Sequence, residues 1–268
     1  MAAAGSVAAR VRYINSEWRD RETGPSIGSR ETRRANTSYQ PVKIHDARPD
    51  DAAGELDLDV NGFILLAHRT GCPDFTDDEV IRETYLPEML EQVRRATGAD
   101  AAYHYSYLIR TETPVSFNDG YARFVHCDYN AKRIEELSHD VLRKHDVEPH
   151  AGQSYAWYNT WQPFDFPAIR NPLAFIDART LVDGDVIDYR YTGPGRDNIV
   201  AAPVYSEQHR WCYFPEMTTE EVVILKQMDQ RPERVVYCPH TSFDHPAVPD
   251  DAPPRRSIET RVVAVFEN

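Results

Sequence analysis

The sequence has few lysines and no long hydrophobic run. Lysine stands at only four positions, among 30 lysines and arginines in total, so covalent chemistry on an amine has few candidate residues. No segment approaches the roughly 18 consecutive apolar residues that a membrane span needs. The N-terminal residues MAAAGSVAARVR also lack the basic head and apolar core of a secretory signal. We therefore expect no membrane partner, and we expect the first few residues to be disordered.

Positive charge is scarce as well. The 43 acidic residues outnumber the basic ones and give a formal net charge of −13 at pH 7. Because nucleic acids and anionic membranes attract basic surfaces, neither is expected to bind this chain.

The cysteines are few and scattered. Cys72, Cys127, Cys212 and Cys238 lie far apart and form no CxxC pair. Neither a disulfide framework nor a zinc knuckle is predicted, and a reducing cytoplasmic location is favoured. The 268 residues, of which 41% are hydrophobic, are enough to bury the core of one large domain.

The periodic patterns of helices and strands begin near residue 61. Residues 1–60 are polar and rich in Arg, Asp and Pro, which predicts an N-terminal arm that is partly disordered or covers the active site. Residues 61–268 are expected to form a single domain.

In the helix FTDDEVIRETYLPEMLEQVRRATG, Thr76 and Glu79 have the spacing of a capping box, Pro87 predicts a kink, and the glycine at the end predicts a stop.

Strands dominate the rest of the chain. GFILLAH, AAYHYSYLIRTE and ARFVH are predicted strands, and AKRIEELSHDVLRK is a second helix. After residue 150 the predicted strands are QSYAWYNTW, PLAFID, DVIDYRY, IVAAPVY, RWCYF, EVVILKQM, RVVYC and RSIETRVVAVF. Turn signals separate them. This order predicts a mainly-β protein, an antiparallel sandwich or barrel with flanking helices.

One short motif points to a metal. In a strand, His126 and Asp128 project to the same face, although this spacing is also common at solvated strand ends. His240 follows the apolar run RVVYCP, and Arg255-x-Ser257 comes fifteen residues later. Two histidines and a carboxylate form the facial triad of non-haem Fe(II) oxygenases. A downstream arginine would bind the distal carboxylate of 2-oxoglutarate through its two-pronged guanidinium.

Four motifs in order resemble a known family. They are FVHCDYN, WYNTWQPFDFPAIRNPLAFIDART, YFPEMTTEEVVILKQMD and PHTSFDHPAVPDDAPPRRSIETR, within residues 60–266. They are similar to those of the CmcJ/NvfI group, oxygenase-like proteins related to the cephamycin methoxylation component and to fungal meroterpenoid dioxygenases. The resemblance implies a double-stranded β-helix (jelly-roll, cupin-like) barrel, the cofactors Fe(II), 2-oxoglutarate and O2, and a role in secondary metabolism. It implies that His126, Asp128 and His240 are the metal ligands. Gln230 stands where a serine is common in the group.

Further candidate residues lie in two strands and beside the HxD motif. Asn159 shares a strand face with Trp157 and other aromatics, and is expected either to bind 2-oxoglutarate or substrate, or to have a backbone partner in the core. Trp157 is expected to pack in the core or to border an apolar, polycyclic or aromatic substrate. Tyr129 is a candidate substrate contact. In the last strand, alternation places Arg255, Ser257, Glu259 and Arg261 on one face. Arg255 with Ser257 is the first choice for the co-substrate, and Arg261, paired with Glu259, is the second.

The sequence therefore predicts an Fe(II)/2-oxoglutarate-dependent dioxygenase that hydroxylates, desaturates or cyclises a small molecule. One alternative is a zinc-dependent hydrolase or lyase with the same ligands. Another is a non-catalytic partner subunit of a biosynthetic enzyme. A homodimer or a biosynthetic partner protein is compatible with all three. If His240 is not the third ligand, His104 is the next candidate.

Overall fold

The computed structural model describes residues 5–111, 123–193, 195 and 197–267. Its strands are β1 (Ser6–Ile14), β2 (Ser26–Ile27), β3 (Thr37–Asp46), β4 (Phe63–Ala67), β5 (Ala101–Thr111), β6 (Gln153–Pro163), β7 (Leu173–Ile176), β8 (Val186–Tyr191), β9 (Asn198–Pro203), β10 (Trp211–Tyr213), β11 (Glu221–Asp229), β12 (His240–Ser242) and β13 (Arg256–Glu267). Its helices are α1 (Arg30–Asn36), α2 (Arg48–Ala52), α3 (Asp78–Val80), α4 (Leu86–Thr97) and α5 (Ile134–Lys144).

Two five-stranded sheets form the body of the protein. The first has the order β1-β3-β10-β7-β12 and the second the order β4-β11-β6-β13-β5, while β2, β8 and β9 form a smaller sheet. Neighbouring strands are antiparallel, except that β3 runs parallel to β10 and β2 to β8. The predicted mainly-β fold with flanking helices is confirmed.

Side chains along β6 point alternately to the two faces of the second sheet, and each face packs against a different part of the protein. Trp161 faces the first sheet and packs in one apolar cluster with Phe175 of β7 and Leu225 of β11. Tyr158 faces outward and packs with Val93 of α4. Helix α5 covers the inner face further along the sheet, where its apolar side chains pack with those of β6 and β13. The interior is therefore closed at this end by α5 and filled between the sheets by aromatic and aliphatic side chains.

Two predicted strands are wrong. Within ARFVH, the described residues 123–126 form only an isolated bridge from His126. In RVVYC, the N–H of Val235 donates to the carbonyl oxygen of Asp59, and the N–H of Cys238 donates to that of Lys226 in β11. These two hydrogen bonds go to different segments, so RVVYC does not pair with one strand in a regular ladder. Apolar runs of this length do not distinguish a strand from a buried connection.

The predicted start of the long helix is also wrong. Asp77, not Thr76, is the N-cap of α3, and its carboxylate accepts hydrogen bonds from the N–H groups of Glu79 and Val80. Thr76 instead donates to Asp74. The predicted stop is confirmed, since Gly98 is left-handed with φ 69°. At the predicted kink, residues 81–85 form a π-helical turn before α4, next to the proline that lacks an N–H donor.

Residues 1–60 contribute two long strands to the first sheet. β1 and β3 pair antiparallel from Ser6↔His45 to Ile14↔Thr37, and β3 continues the sheet through β10. The expected disorder concerns residues 1–4, which lie outside the described residues. The boundary at residue 60 and a covering role for the N-terminal region stay predictions. No helix of the described ranges is long and apolar enough to cross a membrane.

Candidate metal centre

The backbone brings the two motif histidines together. His126 precedes the turn that leads into α5, and His240 is the first residue of β12. The N–H of each donates to the carbonyl oxygen of the other, at 3.2 and 3.1 Å, which places the ring centres 4.7 Å apart. One nitrogen of each ring and a carboxylate oxygen of Asp128 all lie within 4.8 Å of one another. Among the described ranges, this is the group of three His, Cys, Asp or Glu residues whose geometry suits a metal ion.

Backbone carbonyls fix the tautomer of both histidines. Nδ1 of His126 lies 2.7 Å from the oxygen of Phe124, and Nδ1 of His240 lies 3.1 Å from the oxygen of Cys238. Because a carbonyl can only accept, each Nδ1 carries the proton and each Nε2 keeps its lone pair. Burial and the neighbouring His126 lower the pKa of His240 to about 4. His240 is therefore neutral at neutral pH, as a metal ligand must be.

The two oxygens of Asp128 have different surroundings. Oδ2 accepts a hydrogen bond from Asn159 Nδ2 at 2.6 Å and lies 3.2 Å from the Arg261 guanidinium. Oδ1 lies 3.4 Å from Nε2 of His126. Burial alone would raise the pKa of Asp128, but the Arg261 guanidinium holds it well below its usual range. The carboxylate is therefore ionised, with one oxygen held by the second sheet and the other facing the histidines.

Arg261 belongs to a partly buried chain of charges. It lies directly opposite Asn159 in the β13–β6 register, and its Nε donates to Glu259 Oε1 at 2.9 Å. Burial would lower the pKa of Arg261, but Asp128 and Glu259 raise it well above the usual range. This arginine was the second choice for the co-substrate, and the structure engages its guanidinium with these two carboxylates.

Arg255 and Ser257 lie at the start of β13: Arg255 directly precedes the strand, and Ser257 is its second residue. Arg255 is 3% exposed, its Nη1 donates to Asn171 O at 2.6 Å, and its guanidinium carbon is 5.6 Å from the centre of the Trp161 ring. Trp161 is the next inward-facing residue after Asn159 on β6, so Arg255 lies one inward position beyond the contact with Asp128. Ser257 is fully buried, and its hydroxyl has no hydrogen-bond partner among the residues described.

Aromatic side chains border the other side of Asp128. The ring centres of Tyr129 and Trp157 are 4.8 Å apart. Trp157 is completely buried, and its Nε1 donates to Ser138 Oγ at 2.9 Å, so it lies in the core behind Tyr129. The buried hydroxyl of Tyr129 has no hydrogen-bond partner within the described part of the chain.

Two residues beside the centre were not predicted. Tyr105, which is 40% exposed, lies 5.4 Å from Trp157 and 6.2 Å from Tyr129, measured between ring centres. Gln227 accepts a hydrogen bond from the N–H of Asp128 at 3.2 Å. Each is the extra residue where a strand register shifts, and such bulges have no signal in a single sequence. His104 packs against the His145 ring and is not part of the metal-binding group.

Comparisons with known proteins identify relatives of this chain. The model of the family described as "YDMC: Oxidoreductase/YMDC permease-like domain" matches residues 11–266. The Fe(II)/2-oxoglutarate-dependent dioxygenase nvfI of Aspergillus novofumigatus is 30% identical over 239 residues, which cover 85% of this chain and 84% of the relative. The alpha-ketoglutarate-dependent dioxygenase phiK of a fungal species is 28% identical, with 87% and 86% covered. The hydroxylase/desaturase efuI of Hormonema carpetanum is also 28% identical, with 88% and 86% covered.

A solved structure shares the fold. The iron and alpha-ketoglutarate-dependent endoperoxidase NvfI superposes with a TM-score of 0.82 at 24% identity, covering 98% of this chain and 99% of that one. The predicted double-stranded β-helix is thereby confirmed, and so is the resemblance in the four motifs. Membership of an enzyme family also disfavours the two alternatives, a zinc hydrolase and a non-catalytic subunit. This chain belongs to the family of the Fe(II)/2-oxoglutarate-dependent dioxygenase nvfI, and it is an oxygenase that uses Fe(II), 2-oxoglutarate and O2.

Proposed function

We propose that His126, Asp128 and His240 bind the catalytic Fe(II) and that the enzyme oxidises a small molecule of secondary metabolism. The proposal rests on one observation, the convergence of two histidine nitrogens and one carboxylate oxygen within 4.8 Å. Two neutral imidazoles and a carboxylate are the donor set of non-haem Fe(II) oxygenases. The carbonyls behind both rings and the polar groups behind Asp128 provide the outer support that such ligands usually have.

Arg255 and Ser257 are proposed to bind the distal carboxylate of 2-oxoglutarate. A buried guanidinium is suited to a carboxylate, and the unpaired Ser257 hydroxyl is a donor for the same group. The Oδ1 atom of Asn159 is buried and also lacks a partner among the described residues. Buried polar atoms of this kind are usually satisfied by a bound molecule or water, which supports a polar ligand between Asp128 and Arg255.

The remaining residues of the site are proposed to position the substrate. When bound, Fe(II) and 2-oxoglutarate activate O2 for oxidation of a substrate C–H bond, and 2-oxoglutarate is converted to succinate and CO2. The Tyr129 hydroxyl is a hydrogen-bonding group for the substrate, and the exposed Tyr105 ring is an apolar wall. Trp157, which lies behind Tyr129, supports these two rings. The names of the relatives include hydroxylase, desaturase and endoperoxidase, and we infer hydroxylation, desaturation or cyclisation for this chain.

The proposal includes a cytoplasmic location. All four cysteines are free and buried, as is usual in a reducing compartment. A homodimer or a biosynthetic partner protein stays a prediction.

Titration of the anaerobic protein with Fe(II) and 2-oxoglutarate tests the proposal. The wild-type protein should develop the weak visible charge-transfer band of an Fe(II)–2-oxoglutarate complex. His240→Ala and Asp128→Ala should lose this band while the proteins remain folded by circular dichroism. His104→Ala, which removes a histidine outside the group, is the matched control and should keep the band. Stoichiometric iron binding and 2-oxoglutarate turnover by His240→Ala would contradict the assignment.

A further inference from the structure

An irregularity in β11 lies next to the metal centre. Lys226 pairs with Tyr158 of β6 and Met228 pairs with Trp157, so Gln227 is an extra residue with no partner in the register. A bulge of this kind interrupts the alternation of side chains and redirects one of them. Met228 packs inward with Trp157, and Gln227 also reaches inward, to Asp128. The bulge thus places two consecutive side chains on the inner side of the sheet.

The side chain of Gln227 completes the anchoring of the motif backbone. The N–H of His126 donates to β12 through His240 O, and the N–H of Cys127 donates to β9 through Ala201 O at 2.8 Å. The next N–H, that of Asp128, donates to Gln227 Oε1. The N–H groups of three consecutive residues therefore donate to three different strands. Only the N–H of Asp128, the proposed carboxylate ligand, donates to a side chain.

A comparison with another buried glutamine shows that packing does not explain Gln227. Gln162 on β6 is satisfied at both ends, because its Oε1 accepts from Tyr85 and its Nε2 donates to Thr219 O at 2.7 Å and His68 O at 3.2 Å. Gln227 is 1% exposed, yet its Nε2 has no hydrogen-bond partner in the described ranges. A purely structural position would favour an apolar residue here.

We propose that Gln227 is a positioning residue of the Fe(II) site. The bulge in β11 delivers its carbonyl oxygen to the N–H of Asp128, and this bond fixes the main chain from which the carboxylate is presented. The inference rests on the proposed role of Asp128 as a ligand. Backbone carbonyls support the rings of the two histidines, and Gln227 is assigned the support of the main chain at Asp128.

Co(II) is a suitable probe, because its visible spectrum reports the geometry of the ligands. In the full-length protein, Gln227→Met keeps the approximate volume but removes the acceptor, and it should weaken Co(II) binding by about tenfold or more and change the spectrum. Gln227→Glu keeps an acceptor oxygen and should retain an affinity and spectrum close to those of the wild type. Gln162→Met, the matched control, should lower the Tm of the metal-free protein without changing Co(II) binding.

Two results would overturn the inference. The first is wild-type Co(II) affinity and spectrum in Gln227→Met. The second is an equal loss in Gln227→Met and Gln227→Glu, since the acceptor would then be irrelevant. If Gln227→Met does not fold, loss of Co(II) binding in a folded Gln227→Glu protein would also contradict it. Failure of the wild-type protein to bind Co(II) would instead refute the proposed function, so the two failures are distinguishable.

Discussion

Nη2 of Arg261 lies 3.2 Å from Oδ2 of Asp128, on the same oxygen that accepts a hydrogen bond from Asn159. Since both contacts use one carboxylate oxygen, the other oxygen is directed to the histidines. Glu259 also holds Arg261, through a hydrogen bond from its Nε. An arginine engaged by two carboxylates is poorly placed to bind the distal carboxylate of 2-oxoglutarate as well, and this favours Arg255 for that role.

Exchanging Arg255 and Arg261 separately for lysine tests which of them binds 2-oxoglutarate. Arg255→Lys keeps the charge but removes the two-pronged donor, so the affinity for 2-oxoglutarate should fall by about tenfold or more, roughly 1.5–3 kcal/mol. Iron binding should persist. Arg261→Lys should leave the 2-oxoglutarate affinity near the wild-type value. Titration of the charge-transfer band with 2-oxoglutarate at fixed Fe(II) measures both, and the reverse pattern would transfer the role to Arg261.

Asn159 should affect the metal through Asp128. Asn159→Ala removes the hydrogen bond on Oδ2, and Co(II) affinity should fall by roughly tenfold. Tyr158→Phe is the control, because Tyr158 is the neighbouring residue on β6 and faces outward. Isothermal titration calorimetry with Co(II) distinguishes the two variants. Equal affinities for the wild type and Asn159→Ala would mean that this contact does not support the ligand.

A buried histidine away from the metal should make stability depend on pH. His209 lies between Tyr13 and Asp185, with contacts of 3.0 and 3.1 Å, and burial lowers its pKa. Between the lowered folded pKa and the ordinary value of 6.5, the unfolded chain binds a proton that the folded chain does not. The stability contributed by this group is therefore complete above the unfolded pKa and decreases as the pH falls through that interval.

Replacing this histidine should reduce the acid sensitivity. The free energy of unfolding of the wild type should fall between about pH 7 and about pH 5.5, and His209 should contribute up to about 1.4 kcal/mol per pH unit. His209→Gln should show a smaller slope in urea unfolding at the same pH values. An unchanged slope would mean that His209 binds protons equally in the folded and unfolded states.

The core between the sheets should be sensitive to loss of volume. Phe175 is completely buried and stacks on Phe63 with ring centres 4.8 Å apart. Phe175→Ala should reduce the free energy of unfolding by about 3–5 kcal/mol. Phe166→Ala, at a side chain that is 41% exposed, should change it by less than about 0.5 kcal/mol. Urea unfolding followed by tryptophan fluorescence compares the two, and similar values would contradict the observed packing.

Site residues that are close together in the chain were predicted better from the sequence than residues that meet only through tertiary packing. The two-residue spacing of His126 and Asp128 is visible in the chain, whereas the backbone pair that joins His126 to His240 exists only in the folded protein. Strand alternation correctly separated Asn159 from Tyr158. It did not reveal Tyr105, because a bulge changes the alternation where no Gly or Pro marks it.

The contact of Arg261 with Asp128 was not predicted, for a similar reason. The alternation along the last strand predicted that Arg255, Ser257, Glu259 and Arg261 share a face and that Arg261 pairs with Glu259, but not that Arg261 reaches Asp128. That contact depends on the register of β13 against β6, which places Arg261 opposite Asn159 and thus beside Asp128. Sequence patterns contain no information on a register between strands that are this far apart in the chain.

With the proposed ligands, the reciprocal hydrogen bonds between His126 and His240 couple metal binding to folding. One histidine precedes α5 and the other begins β12, so the unfolded chain has no site in which both nitrogens meet. A metal ion therefore binds the native state almost exclusively, and its binding energy adds to the free energy of unfolding. At a free metal concentration of about 100 times Kd the gain is roughly 2.7 kcal/mol. Depletion of iron would consequently expose the enzyme to unfolding and proteolysis as well as stop its chemistry.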